Sequence, residues 1–222
     1  EPDLFEKTAY RLKDMGYDGV DLNMGCPAPN VFKHGRGAGL ILRPEVAASL
    51  IQATKKAGLP VSVKTRLGHA KVDEYKDWIT HLLKQDITNL SIHLRTKVEM
   101  SKYPAHYELI PDILKIRDEI APETLITLNG DIEDYQHGMK LIEETGADGI
   151  MIGRGVFHNP YAFEIEAKEH SPQELLDLFK DHLDYYDQFV EIEPSLAKPL
   201  HRFFKIYIRD FKGAHDLRIS LM

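Results

Sequence analysis

Cysteine is nearly absent: Cys26 is the only one in 222 residues. A lone thiol closes no internal disulfide and forms no Cys-x-x-Cys pair. That removes disulfide-stapled scaffolds and thiolate zinc sites, and it agrees with a reducing, cytoplasmic compartment. Long apolar runs are missing too, and none approaches the ~20 residues of a membrane span, so no membrane partner is expected. Glu1-Pro2-Asp3-Leu4-Phe5 has neither a basic n-region nor an apolar h-region, so nothing there marks the chain for secretion. Positive charge is in deficit, 28 Lys and Arg against 35 Asp and Glu for a net −7, which argues against a uniformly basic nucleic-acid coat. His34, His69, His93 and His106 are scattered without a metal-ligand spacing, and no Gly-x-Ser-x-Gly elbow occurs.

What the chain does have is a repeated alternation of helical and strand patterns. Residues 3–16 place Leu4, Phe5, Ala9, Leu12 and Met15 at helical spacing, with Gly16 as the stop. The run Gly19-Val20-Asp21-Leu22-Asn23-Met24-Gly25-Cys26-Pro27 then reads as a strand ending in a polar turn. A helix over 44–56, with Val46, Ala47, Leu50 and Ile51 inward, precedes a strand over 60–66. Helix 73–85 leads to strand 89–93, helix 107–120 to a strand within 124–131, and helix 133–145 to one within 148–155. Strand-end markers fall at 26, 64, 93, 129 and 153, so that 38, 29, 36 and 24 residues separate them. Apolar strands alternating regularly with helices imply a parallel sheet of βα units.

Two architectures accommodate such units, a (β/α)8 barrel and an open doubly wound sheet. The first strand lacks the Gly-x-Gly-x-x-Gly that an open dinucleotide fold prefers, and small donor-rich turns follow the last two strands: Asn129-Gly130-Asp131 and Gly153-Arg154-Gly155. That is the phosphate-binding position of barrels, so the expectation is an α/β, TIM (β/α)8-type barrel. With five strands counted and a helix at the start, the first βα units of such a barrel are expected to be lacking from this chain.

Beyond about residue 168 the pattern changes. Residues 1–168 are assigned to the barrel portion and 169–222 to a small helical domain, with helices over 172–190 and 195–211. Over 197–222 there are six Lys or Arg, Arg202 and Lys205 among them, against two acids, a local charge of +4. Such a run is either a solvated helix face or a patch for nucleic-acid phosphates.

The strand ends carry the chemistry. An ammonium at Lys64 can stabilise negative charge on an electron-rich ring such as reduced flavin; its competing role is a salt bridge to Asp21 or Asp131. His93 can donate a hydrogen bond or a proton, or merely pack. Asn129 and Asp131 offer polar contacts, and Gly130 lets a ligand approach the backbone. Gly153 and Arg154 set bare N–H groups beside a guanidinium, which suits a phosphate.

Five motifs in order, Asn23-Met24-Gly25-Cys26-Pro27, Val63-Lys64-Thr65-Arg66-Leu67-Gly68, Ile92-His93-Leu94-Arg95-Thr96, Asn129-Gly130-Asp131-Ile132 and Met151-Ile152-Gly153-Arg154-Gly155, resemble those of the tRNA-dihydrouridine synthases over roughly residues 1–165. The segment from Tyr207 to Arg218 looks like that family's C-terminal helical domain. One departure is Leu94, where a Gly often stands between the His and the Arg. The resemblance implies an FMN-dependent enzyme that uses NADPH or NADH to reduce uridines of tRNA. It implies Cys26 as the general acid, and Lys64, His93, Asn129, Gly130, Asp131, Gly153 and Arg154 as FMN contacts. Asn23 and Arg66 would face the target uridine or its neighbours, and Arg202 and Lys205 the RNA backbone. Hydride addition at C6 of uracil calls for a proton at C5 from the opposite face, and an ordinary thiol, with a pKa of about 8.5, is mostly protonated at neutral pH and can supply it. The target base has to leave its stack to be reached, at a cost of a few kcal/mol. No protein partner is implied. Two other readings stand beside this one: an FMN barrel acting on a free pyrimidine or another small enone, and a non-catalytic RNA-binding module.

Overall fold

The computed structural model describes residues 1–190, 203–209 and 211–221. By internal contacts the chain divides into two compact units, one of residues 1–132 and 137–153, the other of residues 133–136 and 154–222.

The first unit is built on five parallel strands, β1 (Val20–Asn23), β2 (Val61–Arg66), β3 (Asn89–His93), β4 (Leu125–Asn129) and β5 (Gly149–Met151), hydrogen-bonded in the order β1-β2-β3-β4-β5. Each strand adds beside its predecessor. Strictly sequential order is the winding of a (β/α)8 barrel, whereas a doubly wound sheet reverses direction at a switch point. The barrel-type α/β fold expected from the turns is therefore the one adopted.

Helices α1 (Pro2–Asp14), α3 (Pro44–Lys55), α4 (Tyr75–Leu83), α5 (Ile110–Ile120) and α6 (Tyr135–Thr145) alternate with the strands, and a short α2 (Pro29–Phe32) and a 3-10 turn over Gly37–Leu42 fill the loop after β1. Pro2 and Pro44 occupy first turns, where their missing N–H costs nothing. Gly16, at φ +83°, ends the first helix in the left-handed region.

One face of the sheet is apolar apart from Thr65. Val63, Leu90, Ile92, Ile126 and Leu128 are fully buried, as are Ile79 and Leu82 of α4 and Ile110 and Ile113 of α5. Each such side chain contributes about 1.5–3 kcal/mol by leaving water. Trp78 donates from Nε1 to Oγ1 of Thr65 at 2.9 Å, so the one polar atom on this face of β2 is satisfied. Alternate positions, by the two-residue period of a strand, carry Asp21, Asn23, Ser62, Lys64, Arg66, Asn89, Ser91, His93, Thr127 and Asn129 on the other face. There Ser62 donates to Asp21 at 2.6 Å and Thr127 to Asn89 at 2.8 Å. On α1 only Ala9 is buried; Leu4 and Met15, at inward spacing by sequence, are 57% and 61% exposed.

The second unit contains α7 (Gly155–His158), α8 (Pro172–Val190), α9 (Phe204–Tyr207) and α10 (Ala214–Leu221). Its core gathers Phe204, Ile208 and Ala214, with Phe179, Leu183, Tyr186, Phe203 and Tyr207 packed around them. Helix α8 follows the predicted span. The single helix expected over 195–211 is corrected where it is described. α9 ends at Tyr207, Ile208 leaves helical backbone at ψ 80°, and after Gly213 at φ +91° a separate α10 begins. Among the described residues no helix is long and apolar enough to cross a membrane.

Candidate ligand site at the carboxyl ends of the strands

Asn23 closes β1 and turns the chain. Its Oδ1 accepts the N–H groups of Gly25 at 3.1 Å and Cys26 at 3.0 Å, an Asx turn that sets where the Cys26 side chain departs. The Cys26 carbonyl in turn accepts the Ala38 N–H at 3.0 Å. Gly37, at φ +54°, lies so close that a Cβ on it would sit 2.7 Å from that carbonyl oxygen and 2.9 Å from the Cys26 Cβ. The thiol-bearing residue is thus clamped on both sides of its peptide and left half-exposed.

Strand register assembles the next groups. Asn23 pairs with Lys64, Arg66 with His93, and His93 with Asn129. Lys64 Nζ donates to Oδ1 of Asn129 at 3.2 Å, and Nδ2 of Asn129 donates to the Met151 carbonyl at 2.8 Å, so the amide's orientation is set from both ends. Burial, reinforced by the Arg66 charge and opposed by Asp21, holds the Lys64 ammonium below its ordinary pKa. Neither Asp21 nor Asp131 forms the salt bridge that was the competing role for this lysine: Asp21 accepts from Ser62, and Asp131 is paired with Arg95.

His93 is surrounded by cations. Burial first, then Arg66, Lys64 and Arg95, push its pKa down to about 3 against the opposing pull of Asp131, so the imidazole is neutral at physiological pH. Arg95, with 2% of its side chain exposed, lies 3.1 Å from His93 Nε2 through Nη1, pairs with Asp131 through Nη2, and donates from Nε to the Tyr103 carbonyl at 2.5 Å. Gly130 and Asp131 both adopt left-handed backbone, at φ +120° and +53°. A Cβ on Gly130 would meet Ala105 at 3.2 Å and His93 at 3.3 Å.

Arg66 is buried. Its Nε donates to the Gly25 carbonyl at 2.9 Å and its Nη1 to the carbonyls of Thr96 and Met100 at 3.1 and 3.2 Å, tying the cysteine loop to the loop after β3. Cys26 lies within electrostatic reach of the same guanidinium. The loop after β3 is braced by Glu99, which accepts the Thr96 N–H at 2.7 Å and pairs with His106 at 2.7 Å; Glu108 holds the other His106 nitrogen at 2.8 Å. Burial works to lower the His106 pKa, but the two carboxylates outweigh it and hold the value above the ordinary one.

Of the residues singled out by sequence, Asn23, Cys26, Lys64, Arg66, His93, Asn129, Gly130 and Asp131 all lie at or just past the carboxyl ends of β1 to β4. Gly153 follows β5, and Arg154 caps α7 at the start of the second unit's main segment. Lys205 is exposed on α9, and Arg202 lies outside the described residues. Arg218, counted in the basic run, donates to the Ile208 carbonyl. Sequence reasoning missed Arg95, Glu99, His106 and Gly37 as supports. Arg95 alone carried a signal, two residues after His93 in the same motif.

A singly wound parallel sheet that sets a half-buried lysine, a neutral histidine and an amide side by side at its carboxyl edge is the architecture of a barrel-type α/β protein. The chain belongs to the dihydrouridine synthase family: that family's model, Dihydrouridine synthase (Dus), matches residues 1–222. The probable tRNA-dihydrouridine synthase 2 of Bacillus subtilis (strain 168) is 61% identical over 222 residues, all of this chain and 68% of that protein. The probable tRNA-dihydrouridine synthases of Staphylococcus aureus (strain Mu50 / ATCC 700699) and Staphylococcus epidermidis (strain ATCC 12228 / FDA PCI 1200) are each 58% identical over the same shares.

Proposed function

We propose that this protein reduces uridines of tRNA to 5,6-dihydrouridine, with FMN as its bound cofactor and NADPH or NADH as the reductant. Membership of the family and the names of relatives at 58–61% identity support the reaction. The observation that carries the cofactor assignment is the Lys64–Asn129 hydrogen bond with His93 beside it. A cation, a neutral imidazole and an amide on one strip match the electron-rich edge of an isoalloxazine ring. Gly153 leaves room: among the described residues a Cβ on it would find only Asn129 Nδ2, at 4.0 Å. Lys64, His93, Asn129, Gly130 and Asp131 would hold the ring side, and Gly153 the phosphate.

Bound FMN supplies the hydride that C6 of uracil accepts. This chain then has to deliver a proton to C5, the role assigned to the Cys26 thiol. The Asx turn of Asn23 and the close approach of Gly37 hold that residue's backbone, so the acid acts from a preset position and little is spent ordering it. Asn23 and Arg66 are assigned to the base and its neighbours. Residues 169–222, with Arg202 and Lys205, are assigned to the RNA backbone, and the local basic run in the sequence would let an acidic protein take a polyanion.

The test is a reaction of the full-length protein with an unmodified tRNA transcript and NADPH. The expected result is co-purifying yellow flavin and a gain of two hydrogens on particular uridines by mass spectrometry. Flavin reoxidised by free uracil or another small enone, and not by tRNA, would instead assign a small-molecule reductase. A colourless protein that binds tRNA without changing it would assign a binding module.

A further inference from the structure

We propose that Arg95 is a positioning residue whose guanidinium fixes His93 as the Nδ1–H tautomer, so that His93 offers the site a hydrogen-bond donor and no charge. A guanidinium has only donors, so the 3.1 Å contact between Arg95 Nη1 and His93 Nε2 requires a lone pair on Nε2, and the imidazole proton must sit on Nδ1. Arg95 cannot swing away from this duty. It is buried, its Nε is committed to the Tyr103 carbonyl and its Nη2 to the Asp131 carboxylate, and Asp131 is itself held by the Ala105 N–H at 3.1 Å.

The backbone supports the same arrangement. Arg95 N–H donates to the His93 carbonyl at 2.6 Å and the Arg95 carbonyl accepts the Leu67 N–H at 3.1 Å, which turns the residue after β3 back over the strand end. Gly130 leaves the gap into which the pair fits, since a Cβ there would lie 3.6 Å from Arg95 Nη1 and 3.3 Å from the His93 ring. Every charged group that faces His93 acts in one sense except one: Lys64 and Arg66 of β2 and Arg95 oppose an imidazolium, and only Asp131, already engaged by Arg95, favours it. A residue that merely filled space would leave both tautomers open. This one closes off Nε2–H.

The consequence for the ligand rests on His93 being a flavin contact as proposed above; the tautomer itself does not. The experiment is long-range proton–nitrogen NMR of histidine-labelled full-length protein between pH 5 and 8, with the His93 signals assigned by their loss in His93→Gln. The wild-type protein should show a protonated Nδ1 and an unprotonated Nε2 that do not move with pH. In Arg95→Met/Asp131→Asn, which removes the charge pair without leaving an orphan carboxylate, a protonated Nε2 population should appear. Asp131→Asn alone should keep the wild-type pattern. A wild-type His93 that titrates in this range or carries its proton on Nε2 would overturn the proposal even if the double variant did not fold. So would a folded double variant that keeps pure Nδ1–H. Flavin content, read separately from the yellow absorbance, can fail without touching either result.

Discussion

The Nζ of Lys64 on β2 reaches across β3 to Oδ1 of Asn129 on β4, 3.2 Å away, and the other end of that amide is fastened to β5 through the Met151 carbonyl. Strands β2, β4 and β5 thereby share one strip. If that strip holds the flavin, Lys64→Met and Asn129→Ala should each weaken FMN binding about tenfold, or ~1.4 kcal/mol. Because they share one hydrogen bond, the double variant should lose less than the sum. A fluorescence titration with FMN measures this, and strict additivity would remove the pair as a unit.

Gly37 is the second handle. Its φ of +54° and the 2.7 Å separation of a would-be Cβ from the Cys26 carbonyl oxygen mean that Gly37→Ala must strain the backbone or shift the cysteine loop. We expect about 1–3 kcal/mol of lost stability in urea melts, with slower uridine reduction and unchanged FMN affinity. An alanine variant as stable and active as wild type would show that the loop is not clamped.

The two histidines make pH predictions of opposite sign. His93 has a folded pKa of about 3, below the ordinary 6.5, so between these values the unfolded chain binds the extra proton and stability falls as pH drops. The slope should approach 1.4 kcal/mol per pH unit, an order-of-magnitude figure for one proton, and His93→Gln should flatten it. His106 has a raised folded pKa, so its stabilisation is complete below about pH 6.5 and is lost as pH rises through the folded value. His106→Gln should remove that loss. Urea melts of the three proteins from pH 4 to 9 separate the two effects.

These supports were only partly legible in the sequence. The strand Asn89–His93 and the helix 172–190 were found where they were expected, because apolar periodicity and flanking breakers mark both. The parallel sheet follows from the regular alternation of apolar strands with helices. What periodicity could not reveal is register. Nothing in the string says that Arg66 lies opposite His93, or that Arg95 folds back beneath Asp131 across 36 residues of chain. The helix expected over 195–211 stops short of Gly213, so α10 had no counterpart in the sequence reading, and the basic and aromatic residues before it gave no sign that the backbone leaves the helix at Ile208. The 3-10 turn at Gly37–Leu42 was missed because its glycines read as loop, although both are buried, Gly37 against Cys26 and Gly39 against Phe32.

The basic C-terminal run makes a prediction in salt. Arg202→Glu with Lys205→Glu should weaken tRNA binding, and the slope of log affinity against log salt should become shallower by about 0.7 to 0.9 for each phosphate no longer neutralised. Filter binding from 50 to 300 mM salt, a range on the scale over which phosphate neutralisation fades, measures it. Unchanged affinity at the low end would make this run a solvated surface.

The most direct test is Cys26→Ser, read as two half-reactions in stopped flow. Serine keeps the shape and the Asx turn of Asn23 but is a far weaker acid. With the thiol as the acid, flavin reduction by NADPH should run at the wild-type rate and tRNA-dependent reoxidation should slow at least about a hundredfold, the lower end of what a general acid contributes. Equal slowing of both halves, or full-speed reoxidation with serine, would contradict it.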